Sequence, residues 1–142
     1  MDLSYGPRYE DFRSEVRQFI QEHGSQSPRA GKSSGEKAMT WQTLLIENGY
    51  AARTIPREYG GYGGSPDIIE SRIVAEEFSK QQINTGLGGQ GISMLVPVLL
   101  EMGNEAQKKQ FIGPTIRGEM LWCQGYSEPG AGSDLASLST KA

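Results

Sequence analysis

The chain has 142 residues, 36% hydrophobic and 22% charged, and its 14 basic and 17 acidic side chains leave a net charge of −3 at pH 7. A chain of this length is one ordinary domain that buries roughly two-thirds of the surface its unfolded form exposes, so a true core is expected. Charges of both signs are interspersed, which argues against nucleic acid as a partner, and the longest apolar stretch, residues 92–102, is about half of the roughly 20 residues a membrane span needs.

The opening residues MDLSYGPRYEDF carry acids where an export signal carries a basic and then an apolar stretch. The single Cys123 has no partner for an intrachain disulfide. Together they predict a cytoplasmic setting. Tyr9, Phe12, Val16, Phe19 and Ile20 recur at helical spacing, which predicts a helix over residues 8–23 that stops at Gly24. His23, the one histidine, falls in its last turn, where a favourable helix-dipole contact accounts for it. The Gly-, Ser- and Pro-rich run 24–35 reads as a surface loop. Its Gly31, Lys32 and Ser33 match the end of a phosphate-binding P-loop, but Gln26 stands where the first glycine would have to be and no strand precedes it.

A second helix is predicted over 36–48, with Met39, Trp41, Leu44 and Leu45 as its apolar side and Gly49 as its stop. Pro56 and four glycines make TIPREYGGYGGSP, residues 54–66, an ordered loop. Ser65 as N-cap and Pro66 at the first helical position predict a third helix through Ile69, Ile73, Val74 and Phe78. GLGGQG, Gly86 to Gly91, has the spacing of a dinucleotide fingerprint, yet a helix rather than a strand leads into it and Ala106 stands where an acid is required. It reads instead as a connection that lets backbone approach something closely. A fourth helix, 92–102, is expected to kink at Pro97, and Asn104 with Gln107 opens a fifth that Gly113 and Pro114 end.

After Gly118 the pattern changes. MLWCQGYSE reads as a first strand, followed by a turn through Pro129, Gly130, Ala131 and Gly132 that the hydroxyls of Ser127 and Ser133 flank. Residue chemistry alone favours a plain polar turn here.

YSEPGAGSDLASLSTKA resembles the T/S-E-P-x-x-G-S-D signature of the acyl-CoA dehydrogenase family. IPREYGGYGGSPDIIESRIVAEEFSK is similar to that family's I-P-x-E-Y-G-G-x-G segment with its glutamate-rich helix, and MGNEAQKKQFIGPTIRGEM to the segment leading into the first β-strand. The likeness runs in order through residues 8–142. It implies a mainly α fold: an N-terminal all-α domain over residues 1–118, then the beginning of a middle β-domain over 119–142, with the family's C-terminal helical bundle absent from this sequence. It implies FAD as cofactor, with Gln124, Tyr126, Ser127, Gly132 and Ser133 along it. Ser133 also matches the position where the pantetheine arm of an acyl-CoA passes. Ser127 departs from the common threonine, and Tyr126 is bulkier than the usual small aliphatic.

The reaction so implied is α,β-dehydrogenation of an acyl-CoA thioester, with electrons passed on to an acceptor such as an electron-transfer flavoprotein, by an enzyme that is a homo- or hetero-oligomer, dimer or tetramer, when full length. Met94, Leu95 and Val98 are candidates for one wall of the acyl pocket, against ordinary core packing. No catalytic residue is assigned: the family's catalytic glutamate belongs to the C-terminal bundle, Glu76, Glu77 and Glu128 read as helix-surface or turn carboxylates, and the stretch is expected to be inactive alone. No metal ligands are expected. The alternatives are an acyl-CoA oxidase-like or nitroalkane oxidase-like flavoenzyme, or a helical binding or assembly module without redox chemistry.

Overall fold

In α1, Pro7–His23, the apolar residues read from the sequence turn one face inward: Val16, Phe19 and Ile20 are buried, and Tyr9 and Phe12 pack on the margin. The computed structural model describes residues 5–28 and 35–141, so Gly31, Lys32 and Ser33 lie outside the described residues. α2 is Glu36–Glu47, α3 is Ile68–Lys80, α4 is Val96–Met102 and α5 is Glu105–Ile116.

α2 is the shared wall of two cores. Trp41 and Leu45 join Val16, Phe19, Ile20, Ile73 and Phe78 in the first, where α1 packs on α3. Ile46 joins Ile55, Tyr59, Val96, Ile112 and Ile116 in the second, under α4 and α5. Burying a side chain such as Leu45, Ile73 or Phe78 contributes roughly 1.5–3 kcal/mol. Phe19 is the aromatic hub of the first core, with its ring centroid 4.7 Å from Tyr50 and 6.3 Å from Phe78. Burial holds the Tyr50 phenol up to about 12.

Buried polar groups tie these layers together. The Trp41 indole Nε1 donates to the Asn84 carbonyl at 2.8 Å. Gln42 is buried; its Nε2 donates to the Ile116 carbonyl at 2.8 Å and its Oε1 accepts from Leu87 N at 2.7 Å. Glu77, read from sequence as a surface carboxylate, is 2% exposed, because Arg13, Arg17 and Lys80 converge on it. An ion so fully partnered is tolerated inside.

Four boundaries differ from expectation. Asp67, not Ser65, caps α3: its carboxylate accepts from Ile69 N and Glu70 N at 2.9 and 3.0 Å, which the Ser65 hydroxyl, two residues earlier, does not do. α5 opens with the expected capping box of Asn104 and Gln107 but runs past Gly113 and Pro114 to Ile116, because Thr115 and Ile116 gain burial by staying helical. The fourth helix begins as a π-helical turn, Gly91–Leu95, and becomes α-helical at Val96, with Pro97 in the first turn of α4, where the ring needs no N–H partner. No strand forms over 119–127; among the described residues the β-structure is a single bridge between Glu128 and Ala131. A lone strand has nothing to complete its ladder, so the segment lies irregular on the helical layer.

Candidate functional site

The glycine-rich connection is anchored before it turns. Gly86 N donates to Asn84 Oδ1 at 2.8 Å, Leu87 N donates to Gln42, and the chain then enters the π-helical turn, closed by Val96 N donating to Gly91 O. π-helical turns inside helices recur at functional sites because the wider ring re-aims side chains. Here the turn leaves Met94 49% exposed, with Val98 56% exposed one α-turn later, and Leu95 half-buried.

Residues 119–127 cross this turn. Glu119 N and Met120 N donate to the Pro114 carbonyl, bringing the chain off the end of α5. The Trp122 indole Nε1 donates to Thr115 Oγ1 at 2.8 Å, and its ring meets Phe111 edge-on at 5.7 Å. A cavity of about 190 Å³ opens beside it, bordered by Met39, Leu87, Ile92 and Met120. Two residues on, Gln124 Nε2 donates to the Met94 sulfur at 3.1 Å. Tyr126 is 80% exposed, and Ser127 is exposed.

The turn after Ser127 is built round one carboxylate. Glu128 Oε2 accepts from Ser139 N and Oγ at 3.0 and 2.9 Å, and Oε1 accepts from Thr140 N at 2.7 Å and from Thr140 Oγ1. These donors, with the Thr140 hydroxyl foremost, hold the carboxyl down to about 2. Asp134 caps the short turn 135–137 through Ala136 N, and Ser137 Oγ donates to the Gly130 and Asp134 carbonyls. Gly132 and Ser133 lie exposed on the loop so shaped.

Of the residues singled out in the sequence, the structure joins Gln124 to Met94 directly and sets Leu95 and Val98 on the same helical element. Ser127, Gly132 and Ser133 stand apart on the turn. Sequence reasoning does not single out Trp122 or Thr115; Gly91 it marks only as the end of a connection that lets backbone approach something closely, and the close approach there is to the Trp122 ring. A tryptophan at the apolar start of the strand-like run MLWCQGYSE is the available signal for Trp122; its partner Thr115 carries none.

The donors displayed along 124–133 are neutral: the Gln124 amide, the Ser127 and Ser133 hydroxyls, and a phenol. The nearby carboxylates are engaged, Glu128 by Ser139 and Thr140 and Asp134 by Ala136. Neutral donors beside an exposed aromatic ring suit a planar heterocycle with carbonyl acceptors, which is the chemistry of the flavin that the sequence resemblance implies. No group of three or more His, Cys, Asp or Glu side chains that could hold a metal is found among the described residues, and none of the described helices is long and apolar enough to cross a membrane.

Residues 7–119 match the family model of the acyl-CoA dehydrogenase N-terminal domain. Acyl-CoA dehydrogenase IpdE1 of Mycolicibacterium smegmatis is 34% identical over 142 residues, which take in 94% of this chain and 36% of that protein. Mitochondrial isovaleryl-CoA dehydrogenase of Pongo abelii is 34% identical over 133 residues, 92% of this chain and 31% of that one. Among solved structures, the ChsE4-ChsE5 complex from Mycobacterium tuberculosis superposes with a TM-score of 0.61 at 30% identity, over 97% of this chain and 35% of that one. The chain thus spans about a third of the length of these relatives. A family match over residues 7–119, on a mainly helical chain whose neighbours share that fold, has one meaning: the chain belongs to the acyl-CoA dehydrogenase family.

Proposed function

We propose that this chain is the N-terminal part of an FAD-dependent acyl-CoA dehydrogenase, that residues 1–118 form its helical domain and 119–142 begin its β-domain, and that the full protein carries out α,β-dehydrogenation of an acyl-CoA thioester. The observation that carries the reading is the contact of Gln124 with Met94, where the segment proposed to face the flavin meets the turn proposed to face the acyl chain. Gln124, Tyr126, Ser127, Gly132 and Ser133 would hold the cofactor, with Ser133 also beside the pantetheine arm.

The flavin, when bound, supplies a hydride acceptor for the acyl β-carbon. The work of this chain's residues is exclusion and orientation. Met94, Leu95 and Val98 keep water from the thioester, which lets an α-proton become acidic enough for a carboxylate base. That base is not proposed within this chain: Glu77 and Glu128 are each held near 2 by their donors, and a carboxylate so stabilised is a poor proton acceptor. The stretch alone is therefore expected to be inactive. Electrons would pass to an acceptor such as an electron-transfer flavoprotein. Assembly as an oligomer is supported by the two-chain composition of the ChsE4-ChsE5 neighbour, and a cytoplasmic setting by the lone Cys123.

The test is the visible spectrum of the full-length protein, followed by anaerobic mixing with a panel of thioesters that includes straight-chain, isovaleryl and steroid acyl groups. A bound flavin that bleaches with one of them is the expected result. A colourless protein would sink the reading in favour of a helical binding module, and oxygen consumption without another acceptor would favour the oxidase-like alternative.

A further inference from the structure

Between Met120 and Glu128 the chain has neither helix nor ladder, yet Gln124 sits at a defined place on the π-helical turn. The hold comes from the tryptophan two residues before it. The Trp122 Nε1–H points at Thr115 Oγ1, and the Thr115 hydroxyl proton is already given to the Phe111 carbonyl at 2.6 Å, so its oxygen is left as an acceptor for the indole. Gly91 supplies the seat. A Cβ there would lie 2.5 Å from Trp122 Cδ1 and 2.9 Å from Thr115 Cγ2, so only glycine lets the ring close down on the first residue of the turn that carries Met94.

We propose that Trp122 is a positioning residue, pinned by Thr115 and seated on Gly91, which fixes the register of residues 119–127 against the π-helical turn and thereby the spacing of Gln124 and Met94. This rests on the functional reading above for its consequence in catalysis, but not for its geometry. Losing the pin leaves both side chains in place and lets the segment that carries one slide over the turn that carries the other.

The test uses the full-length protein and reads amide hydrogen exchange at Glu119 and Met120, whose amides donate to the Pro114 carbonyl where the segment leaves α5. Thr115→Val removes the acceptor at constant shape, and Trp122→Phe removes the donor while keeping an aromatic edge against Phe111. Each is expected to speed exchange at these two amides about fivefold, the worth of one neutral hydrogen bond. The double variant should be no faster than either single, and Thr115→Ser, which keeps the hydroxyl, should exchange like the parent. In the flavin-loaded enzyme kcat should fall more than KM rises. Unchanged exchange in Thr115→Val, or singles whose effects add in full, would overturn the pin. If Trp122→Phe does not fold, Thr115→Val decides alone. If the full-length protein holds no flavin, the functional reading fails while the exchange comparison still decides the register.

Discussion

Gln124 and Met94, thirty positions apart, meet through an amide donating to a thioether sulfur at 3.1 Å. Both side chains are exposed at the edge of the helical layer, so neither contributes much to stability. That separates fold from function. Met94→Ala should change unfolding free energy by less than about 0.5 kcal/mol, as surface truncations do. In the full-length enzyme it should lower kcat/KM about tenfold, the worth of the apolar contact removed from an acyl wall. Steady-state kinetics beside urea unfolding checks this, and unchanged kcat/KM would take Met94 off the wall.

The Glu77 cluster behaves in the opposite way. Arg13 reaches the carboxylate at 2.6 Å from 64 positions away, with Arg17 and Lys80 beside it, and the Arg17 hydrogen bond leads in holding the carboxyl down to about 2. Glu77→Gln would take from the largely buried Arg13 its shortest and most buried anionic partner, leaving it the more exposed Glu76 at 3.1 Å and Glu10 at 3.8 Å. Because Arg17 and Lys80 are themselves about half exposed, the expected loss is about 2–3 kcal/mol, at or below the low end for a broken buried pair. Glu76→Gln, on a carboxylate one-third exposed, should cost less than about 1 kcal/mol. Urea denaturation of both variants measures the contrast, and equal losses would refute it.

Glu77 also marks where sequence reading stops. The five helices were legible because periodic apolar residues and local caps are written in adjacent positions: Val16, Phe19 and Ile20 on α1, Asn104 and Gln107 opening α5. A glutamate's partner on another helix leaves no local trace, so Glu77 looked like one more surface acid in an acidic helix. Ser65 and Asp67 are both good caps two residues apart, and geometry alone chose between them. MLWCQGYSE has strand-like residues, but a strand is a property of a pair. For the candidate site, the signature run singles out Gln124 to Ser133 as the proposed cofactor segment, whereas Trp122, Thr115 and Gly91 meet in a contact that only the fold brings about.

The Glu128 clamp has a definite pH dependence. Its folded value, about 2, lies below the ordinary glutamate value of about 4.3. A depressed carboxylate contributes its stabilisation fully above the unfolded value and loses it as pH falls through the folded one. Protection of the Ser139 and Thr140 amides should therefore persist from neutral pH to about 4 and disappear as pH approaches about 2. Glu128→Gln should expose both amides at every pH. Amide NMR across the titration checks both statements, and a midpoint near 4 would mean the carboxylate is not held by these donors.

Gly61 tests whether the 54–66 loop is fixed by close backbone contact. A Cβ on it would stand 2.2 Å from the Ile55 carbonyl oxygen and 2.5 Å from Ile55 Cβ, and Ile55 is itself buried in the second core beside Tyr59. Neither atom belongs to a flexible side-chain end, so the loop backbone must move. The movement carries Tyr59, whose hydroxyl donates to Glu105 at 2.9 Å and so joins this loop to the first turn of α5. Gly61→Ala is expected to cost about 1–3 kcal/mol, the range for overpacking. Gly88→Ala is the matched control: a Cβ there meets nothing within 4 Å, and its cost should stay within about 0.5 kcal/mol. Thermal unfolding of the two variants decides between a rigid loop, which separates them by several degrees, and a yielding one, which leaves them alike.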